Sequence, residues 1–402
     1  MVTAAAIPVA TSLAEQYRAV RARTERLCDP LEIEDYVVSS MADVSPTKWH
    51  LAHTSWFFET FVLAPADPGY RPLDPRYAFL FNSYYVQAGE RHCRAQRGLV
   101  TRPTVQEVYE YRQYVDEHML RLIERLDDDA VVALGLQHEQ QHQELLLTDI
   151  KHVFWTNPMR PAYAADNAER ETPRAERTTR GSTGNWYEIA EGVHQIGHRD
   201  SGFCFDNETP AHRVFVEPFS IATYLVTNRE YAGFIEGGGY ARSDLWLSAG
   251  WATVQEHGHE SPIYWERTGD GWTEFTLEGT QPLDPDAPVC HVSYYEADAF
   301  ARWAGKRLPT EFEWEIAART TTGLQQLFGE RWQWTQSAYL AYPGYTPASG
   351  AIGEYNGKWM SDQWVLRGSS LATPPGHQRV SYRTFFPSDT RWQFTGIRLA
   401  SS

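Results

Sequence analysis

Between position 11 and about 158, apolar residues return in separate segments every three or four positions, the spacing of one face of an α-helix. Four segments carry that period together with helix-end chemistry. The first covers Thr11 to Leu27, with Leu13, Tyr17, Val20 and Leu27 as a loose stripe. The second is predicted to start at Ser45-Pro46, an N-cap followed by proline at the first helical position. It runs through SPTKWHLAHTSWFFETFVL until Pro65 and Pro68 close it. The third opens at Thr104, where Glu107 completes a capping box, and extends to about Leu126. The fourth spans about Asp128 to Trp155, and Asn157-Pro158 ends it. Four such helices predict a bundle, whose interior can host a metal site. The stretch from about 65 to 103 has no period, and loops of that length inside a domain are usually functional.

The pattern then breaks. NPMRPAYAADNAERETPRAERTTRGSTGN keeps no apolar period and predicts a linker over about 159–185. From Trp186 onward, short strand-like runs (YEIA, GVHQIG, HRVFVEPFSIA) alternate with Gly and Pro turns. Two helices interrupt them, one opening at Ser293 with Glu296 and ending at Gly305, the other opening at Thr310 with Glu313. The expected division is a helical bundle over 1–158 and an α+β domain over 186–402, with no internal repeat.

Charge narrows the function classes. Asp plus Glu outnumber Lys plus Arg by 52 to 36, a net charge of -16, which repels phosphate backbones and argues against nucleic acid. No apolar run is long enough for a bilayer, and the N-terminus lacks the basic start of a secretory signal. Cys28, Cys93, Cys204 and Cys290 are scattered and form no C-x-x-C pair, which predicts free thiols in a cytoplasmic protein. Aromatic residues make up 14%, a surplus suited to pocket building.

The fourth helix carries LQHEQQHQELLL. His138 and His142 stand four apart, so they share one helix face, a recurrent metal clip. The bland alternative is a pair of polar residues on a solvated face. His138-Glu139-x-x-His142 also matches the zinc-protease signature, but the metzincin form wants Gly and His where Leu145 and Thr148 stand. A third ligand lies upstream instead. His53 sits in WHLAHTSWFF with Trp49 and Phe57 a turn away, an apolar face that by itself suggests a core histidine. Two helices of one bundle that both face histidine inward shift the balance toward a three-imidazole site with open positions.

These residues resemble the ergothioneine-biosynthetic sulfoxide synthases, a family of non-haem iron enzymes. LAHTSWFFETF and HEQQHQELLL are similar to its histidine motifs, and NSYYVQAGERHCRAQRGLVTRPT to the tyrosine- and arginine-bearing loop of its cysteine-using branch. DNETPAHRVFVEPFSIATYLVTNREY, PVCHVSYYEADAFARWAGKRLPTEFEWEIAAR, EYNGKWM and SYRTFFPSDTRWQFTGIRLA resemble the formylglycine-generating-enzyme fold, a relative of C-type lectins. The resemblance implies a DinB-like four-helix bundle followed by that domain. It implies Fe(II) as cofactor, O2 as co-substrate, and hercynine (Nα-trimethylhistidine) and cysteine as substrates. The sulfur would be joined to imidazole C2 and left as a sulfoxide. A homo-oligomer is left open.

Carried over residue by residue, the resemblance makes His53, His138 and His142 the iron ligands. Gln141 would contact the hercynine imidazole. Arg94 and Arg97 would bind the carboxylate of the thiol substrate, since guanidinium forks onto carboxylate. Phe385 and Phe386 would face the quaternary ammonium, with one of the two expected to be core. Tyr84 and Tyr85 are the candidates for the catalytic phenol, and Tyr342 and Tyr345 keep that assignment open. Cys93 beside the arginines has no functional account. The late cysteine pair of true formylglycine-generating enzymes is missing, with Ser369, Ser370 and Ser381 in that region. The alternatives are an ovothiol-type synthase acting on histidine, a zinc-dependent thiol transferase, and a lectin-like binding module.

Overall fold

The computed structural model describes residues 12–125, 129–163, 185–269 and 271–402. Helices α1 (Leu13–Arg26), α2 (Thr47–Phe58), α3 (Val105–Ile123) and α4 (Ala130–Thr156) form the N-terminal bundle. Thr104 and Glu107 make the predicted capping box of α3, and Asp129 caps α4 through the Val131 and Val132 amides. Thr11, Leu126, Asp128 and positions 164–184 of the expected linker lie outside the described residues.

Two helix-end expectations are corrected. Ser45 does not cap α2, whose N-cap is Pro46 without a side-chain bond. The Ser45 amide instead donates to Asp149 Oδ2 at 2.9 Å, and its hydroxyl accepts from Arg97 Nη1 at 3.0 Å. Nor does Pro65 close the helix. The chain continues through a π-turn, Glu59–Leu63, into a last turn, Ala64–Ala66, that contains Pro65. The stretch from 65 to 103 holds three further helical turns, Tyr77–Leu80, Val86–Ala88 and Arg94–Leu99.

Every residue of α2 is buried, so it runs through the middle of the bundle. Helix α4 comes close to it at Gly135, where a Cβ would lie 2.4 Å from Phe58 Cε1. Glycine in a helix interior costs about 1 kcal/mol relative to alanine. Here it permits the approach that brings the two histidine-bearing helices together.

The C-terminal part is built of small sheets. Strands β1 (Trp186–Ile189) and β4 (Phe219–Ala222) pair with β12 (Ala400–Ser401) in one antiparallel sheet. Strands β2 (Gly192–Ile196) and β3 (His212–Val216) form a hairpin. Glu217-Pro218 divides HRVFVEPFSIA between these two sheets, because proline cannot donate to a ladder. Strands β5 (Trp265–Thr268), β6 (Gly271–Thr276) and β7 (Gly279–Pro282) make a meander. The last sheet runs β10 (Thr384–Phe386), β9 (Trp364–Gly368), β8 (Trp332–Ala338), β11 (Thr395–Gly396), with β8 and β11 parallel.

Helices α7 (Tyr294–Trp303) and α8 (Glu311–Thr320) start at the predicted capping boxes. The expectation of only two helices here is corrected by α5 (Asn228–Glu236) and α6 (Ser248–His257). A capping box at Thr227 and Glu230, legible as T-N-R-E, opens α5, whereas α6 has no side-chain cap to announce it.

One hydrophobic core runs through both parts, from Tyr17, Trp56 and Val115 of the bundle to Phe205, Trp334 and Leu399 beyond it. Glu144 of α4 pins the junction. Its carboxylate accepts from Trp332 Nε1 at 2.7 Å, Ser370 Oγ at 2.5 Å and Thr373 Oγ1 at 2.8 Å. Among the described residues no helix is long and apolar enough to cross a membrane.

Candidate metal centre

The 3.6-residue period of α4 turns His138 and His142 to one side, and α2 presents His53 to them. One nitrogen from each ring lies within 4.8 Å of the others. The rings meet edge to face with centroids 4.9, 4.7 and 4.6 Å apart.

Burial sets the protonation state of this trio. Loss of solvent holds His53 and His142 well below the usual imidazole range and pushes His138 down to about 3. All three are therefore neutral near pH 7 and offer lone pairs rather than charges. His53 Nδ1 lies 2.6 Å from the Phe81 carbonyl oxygen, which can only accept, so Nδ1 carries the proton. Its Nε2 is then a buried lone pair with no partner. His138 has no partner at either nitrogen. Orphaned buried nitrogens are costly unless something outside the polypeptide satisfies them. Converging neutral imidazoles are the donor set of zinc, copper, iron or nickel, so the residues fit a metal ion.

Glu139, the would-be base of a protease, points away from the trio. Arg112 Nη2 and Arg21 Nη1 hold its carboxylate at 2.6 and 2.9 Å, and Thr24 donates at 2.6 Å. Burial alone would raise its pKa, but the two guanidinium groups outweigh it and bring it to about 2.

Gln141, between the two histidines in sequence, reaches the C-terminal part. Its Nε2 donates to the Tyr382 hydroxyl at 2.6 Å, and its Oε1 accepts from the Tyr355 hydroxyl. The Tyr355 ring also stands 5.8 Å from that of His138. Sequence reasoning missed Tyr355 and Tyr382, although EYNGKWM and SYRTFF contain them.

The two arginines of the loop have different surroundings. Arg94 is exposed, with Nη2 donating to the Asp43 carbonyl at 2.8 Å and lying 3.8 Å from its carboxylate. Arg97 is buried and lies on the Trp49 indole, 3.4 Å from the ring centroid. Its Nη1 and Nη2 donate only to the neutral hydroxyls of Ser45 and Ser83, at 3.0 and 3.2 Å. Its Nε has no partner, and no ion pair to Arg97 is present among the described residues. Burial, then Arg94, push its pKa down to about 9, so it stays charged near neutrality.

Tyr84 and Tyr85 stack with centroids 4.4 Å apart and hydroxyls 3.2 Å apart. Tyr85 packs on Trp56, and the Tyr84 hydroxyl lies 3.4 Å from the Tyr355 carbonyl oxygen. Burial raises both phenols, Tyr85 far above its ordinary value. Tyr342 and Tyr345 are occupied elsewhere, bonding Glu311 at 3.2 Å and Asp206 at 2.8 Å. Phe385 stacks on Tyr339 with centroids 4.0 Å apart, while Phe386 packs on the common core. Neither ring is paired with a histidine of the trio among the described residues. Cys93 is exposed.

Fold and site thus define a class: a helical bundle that gathers three neutral histidines, roofed by an α+β domain that supplies tyrosines. Known proteins bear on it. Residues 16–146 match the DinB superfamily and residues 171–322 the sulfatase-modifying factor enzyme 1-like domain. The hercynine oxygenase of Mycolicibacterium thermoresistibile is 30% identical, over 99% of this chain and 96% of its own. That of Mycobacterium tuberculosis is 30% identical over 94% and 96%. The formylglycine-generating enzyme of Thermomonospora curvata is 38% identical over 33% of this chain and 47% of its own. The chain belongs to the hercynine oxygenase family.

Proposed function

We propose that this protein is an O2-dependent sulfoxide synthase that joins the sulfur of cysteine to imidazole C2 of hercynine at a non-haem iron(II) centre. The observation that carries the reading is the trio His53, His138 and His142, neutral and converging, with His53 Nε2 and both nitrogens of His138 unpartnered, beside Gln141 and the tyrosines of the second domain. The proposed units are a bundle over 1–158 and a formylglycine-generating-enzyme-like domain over 186–402, joined by a linker.

His53, His138 and His142 would hold the iron, which when bound supplies the one-electron chemistry that lets O2 react with closed-shell substrates. The reaction balances without an outside reductant. The C2–H and S–H bonds are lost and one C–S bond forms. One oxygen atom stays on sulfur, and the other leaves as water with both hydrogens. The two substrates supply all four electrons.

The remaining work falls to the chain. Gln141 has its amide fixed at both ends by Tyr355 and Tyr382, so it can set the orientation of an imidazole beside it. Arg97 carries an uncompensated buried charge, which favours a carboxylate as its missing partner. Arg94 would add a weaker, exposed contact. Phe385 or Phe386 would face the trimethylammonium group. Tyr84 or Tyr85 would deliver a proton, since burial keeps both phenols protonated at neutral pH.

The test is anaerobic reconstitution with Fe(II), then O2 uptake with hercynine and cysteine, with products read by mass. A hercynine–cysteine adduct carrying one added oxygen supports the reading. Cysteine oxidation alone would remove hercynine as acceptor, and no O2 uptake with any thiol would remove the iron oxygenase altogether.

A further inference from the structure

His142 reaches the metal trio with its second nitrogen already engaged. Its Nδ1 lies 2.9 Å from Nδ1 of His50, and His50 Nε2 lies 3.1 Å from Oδ2 of Asp149. The same oxygen accepts the Ser45 amide at 2.9 Å. His50 is 2% exposed and Asp149 5%, so water does not compete for these bonds. Nothing assigned above to hercynine, cysteine or O2 uses either residue.

The proton positions follow from donor and acceptor counting. Asp149 Oδ2 already acts as an acceptor for the Ser45 amide, so the proton on His50 belongs at Nε2, facing that oxygen. Nδ1 of His50 is then a lone pair, and the short contact to His142 requires the His142 proton at Nδ1. That leaves His142 Nε2 as a lone pair, the form a metal ligand needs. With either inner proton moved, Nε2 of His142 would be a donor and could not bind a cation. His53 solves the same problem more simply, through the Phe81 carbonyl.

We propose that Asp149 and His50 form a positioning relay that fixes the tautomer and ring orientation of His142 for metal binding. The relay rests on the three-histidine metal site proposed above, but not on the identity of the substrates. Partners of this kind typically change metal affinity by about 10–100-fold.

The experiment measures Co(II) affinity by chelator competition in the full-length protein, comparing wild type with His50→Leu and His50→Asn. Leucine removes the acceptor facing His142 Nδ1. Asparagine can return one, because its Oδ1 sits near the place of the histidine Nδ1. We expect His50→Leu to bind about 10–100-fold more weakly and His50→Asn to recover most of the loss. Wild-type affinity in His50→Leu, or equal loss in both variants, overturns the proposal.

A second measurement needs no variant. In zinc-loaded protein labelled with 15N-histidine, His142 should appear as the Nδ1–H tautomer and His50 as the Nε2–H tautomer, and the reverse pattern overturns the relay. A wild type that binds no metal sinks the metal site and the relay together. One that binds metal through the relay but turns over no hercynine sinks only the proposed reaction.

Discussion

Arg97 lies over the face of the Trp49 indole, with its guanidinium carbon 3.4 Å from the ring centroid. Trp49 in turn stacks on His53 at 4.5 Å and 13°. A buried cation is thereby tied, through one aromatic ring, to an imidazole of the histidine trio. A cation over an indole gains about 0.5–2 kcal/mol, which offsets part of its desolvation but does not neutralise it. The charge remains available to a ligand beside the three histidines.

Replacing Arg97 with leucine should therefore raise the KM for the thiol substrate and leave that for hercynine nearly unchanged. Losing a hydrogen bond to a charged group costs about 1.5–3 kcal/mol, or roughly 10- to 150-fold. Arg94→Leu should do less, because Arg94 is exposed and solvent screens its contacts. Steady-state kinetics with each substrate varied in turn checks the split. A thiol KM that moves more for Arg94 than for Arg97 would reverse the assignment.

Gln141 is held from both ends by phenols of the second domain. Tyr355→Phe and Tyr382→Phe each remove one hydrogen bond to Gln141 without opening a cavity, and Tyr382→Phe also removes the contact of its hydroxyl with His377 Nε2 at 3.2 Å. At about 1 kcal/mol per bond, each change should lower kcat/KM for hercynine by roughly fivefold. The thiol KM should stay put. Equal losses for both substrates would mean that the tyrosines support the junction between the two parts rather than the glutamine.

The difference in legibility between these residues is physical. His138 and His142 are four apart on one helix, and helix geometry alone puts them side by side. His53 could be matched to them because α2 and α4 belong to one bundle. The phenols that hold Gln141 stand 241 and 214 positions away in sequence, and no local period encodes such a contact. Arg97 and Arg94 look alike in RHCRAQRG, and only the loop conformation buries one and exposes the other. The missed helix α5 had a readable capping box at Thr227, whereas α6 had none. Glu144 in HQELLL reads as a surface acid until Trp332, Ser370 and Thr373 are seen to close over it.

Glu139 gives a prediction for acid stability. Its folded pKa is about 2 against an ordinary 4.5, because Arg112 and Arg21 overcome the cost of its burial. A depressed carboxylate pKa contributes stability that is present above the unfolded value. That contribution fades as pH falls from about 4.5 toward 2. Glu139→Gln should destabilise the protein by about 3–5 kcal/mol at pH 7, since it leaves two buried guanidinium groups short of a counter-charge. The gap between wild type and variant should narrow as pH falls through that window. Denaturant midpoints at several pH values check it, and a gap that stays constant would contradict the assigned ion pairs.

Tyr84 and Tyr85 touch each other, so their roles are separable only by substitution. Tyr85 is fully buried against Trp56, and Tyr84 is the more accessible of the pair, with its hydroxyl toward the Tyr355 backbone. Burial keeps both phenols protonated, which suits a group that gives up a proton during turnover and disfavours a resident phenolate. If one of them supplies that proton, its phenylalanine variant should still consume O2 but divert cysteine to its sulfinic acid. The other variant should keep the hercynine adduct as main product. Loss of a proton donor typically costs about 100- to 10,000-fold in the step it serves, so the switch should be nearly complete. Product ratios by mass for Tyr84→Phe, Tyr85→Phe and the double variant decide the matter. An unchanged ratio in all three would move the proton donor to another group, and Tyr355, 5.8 Å from His138, would be the next to replace.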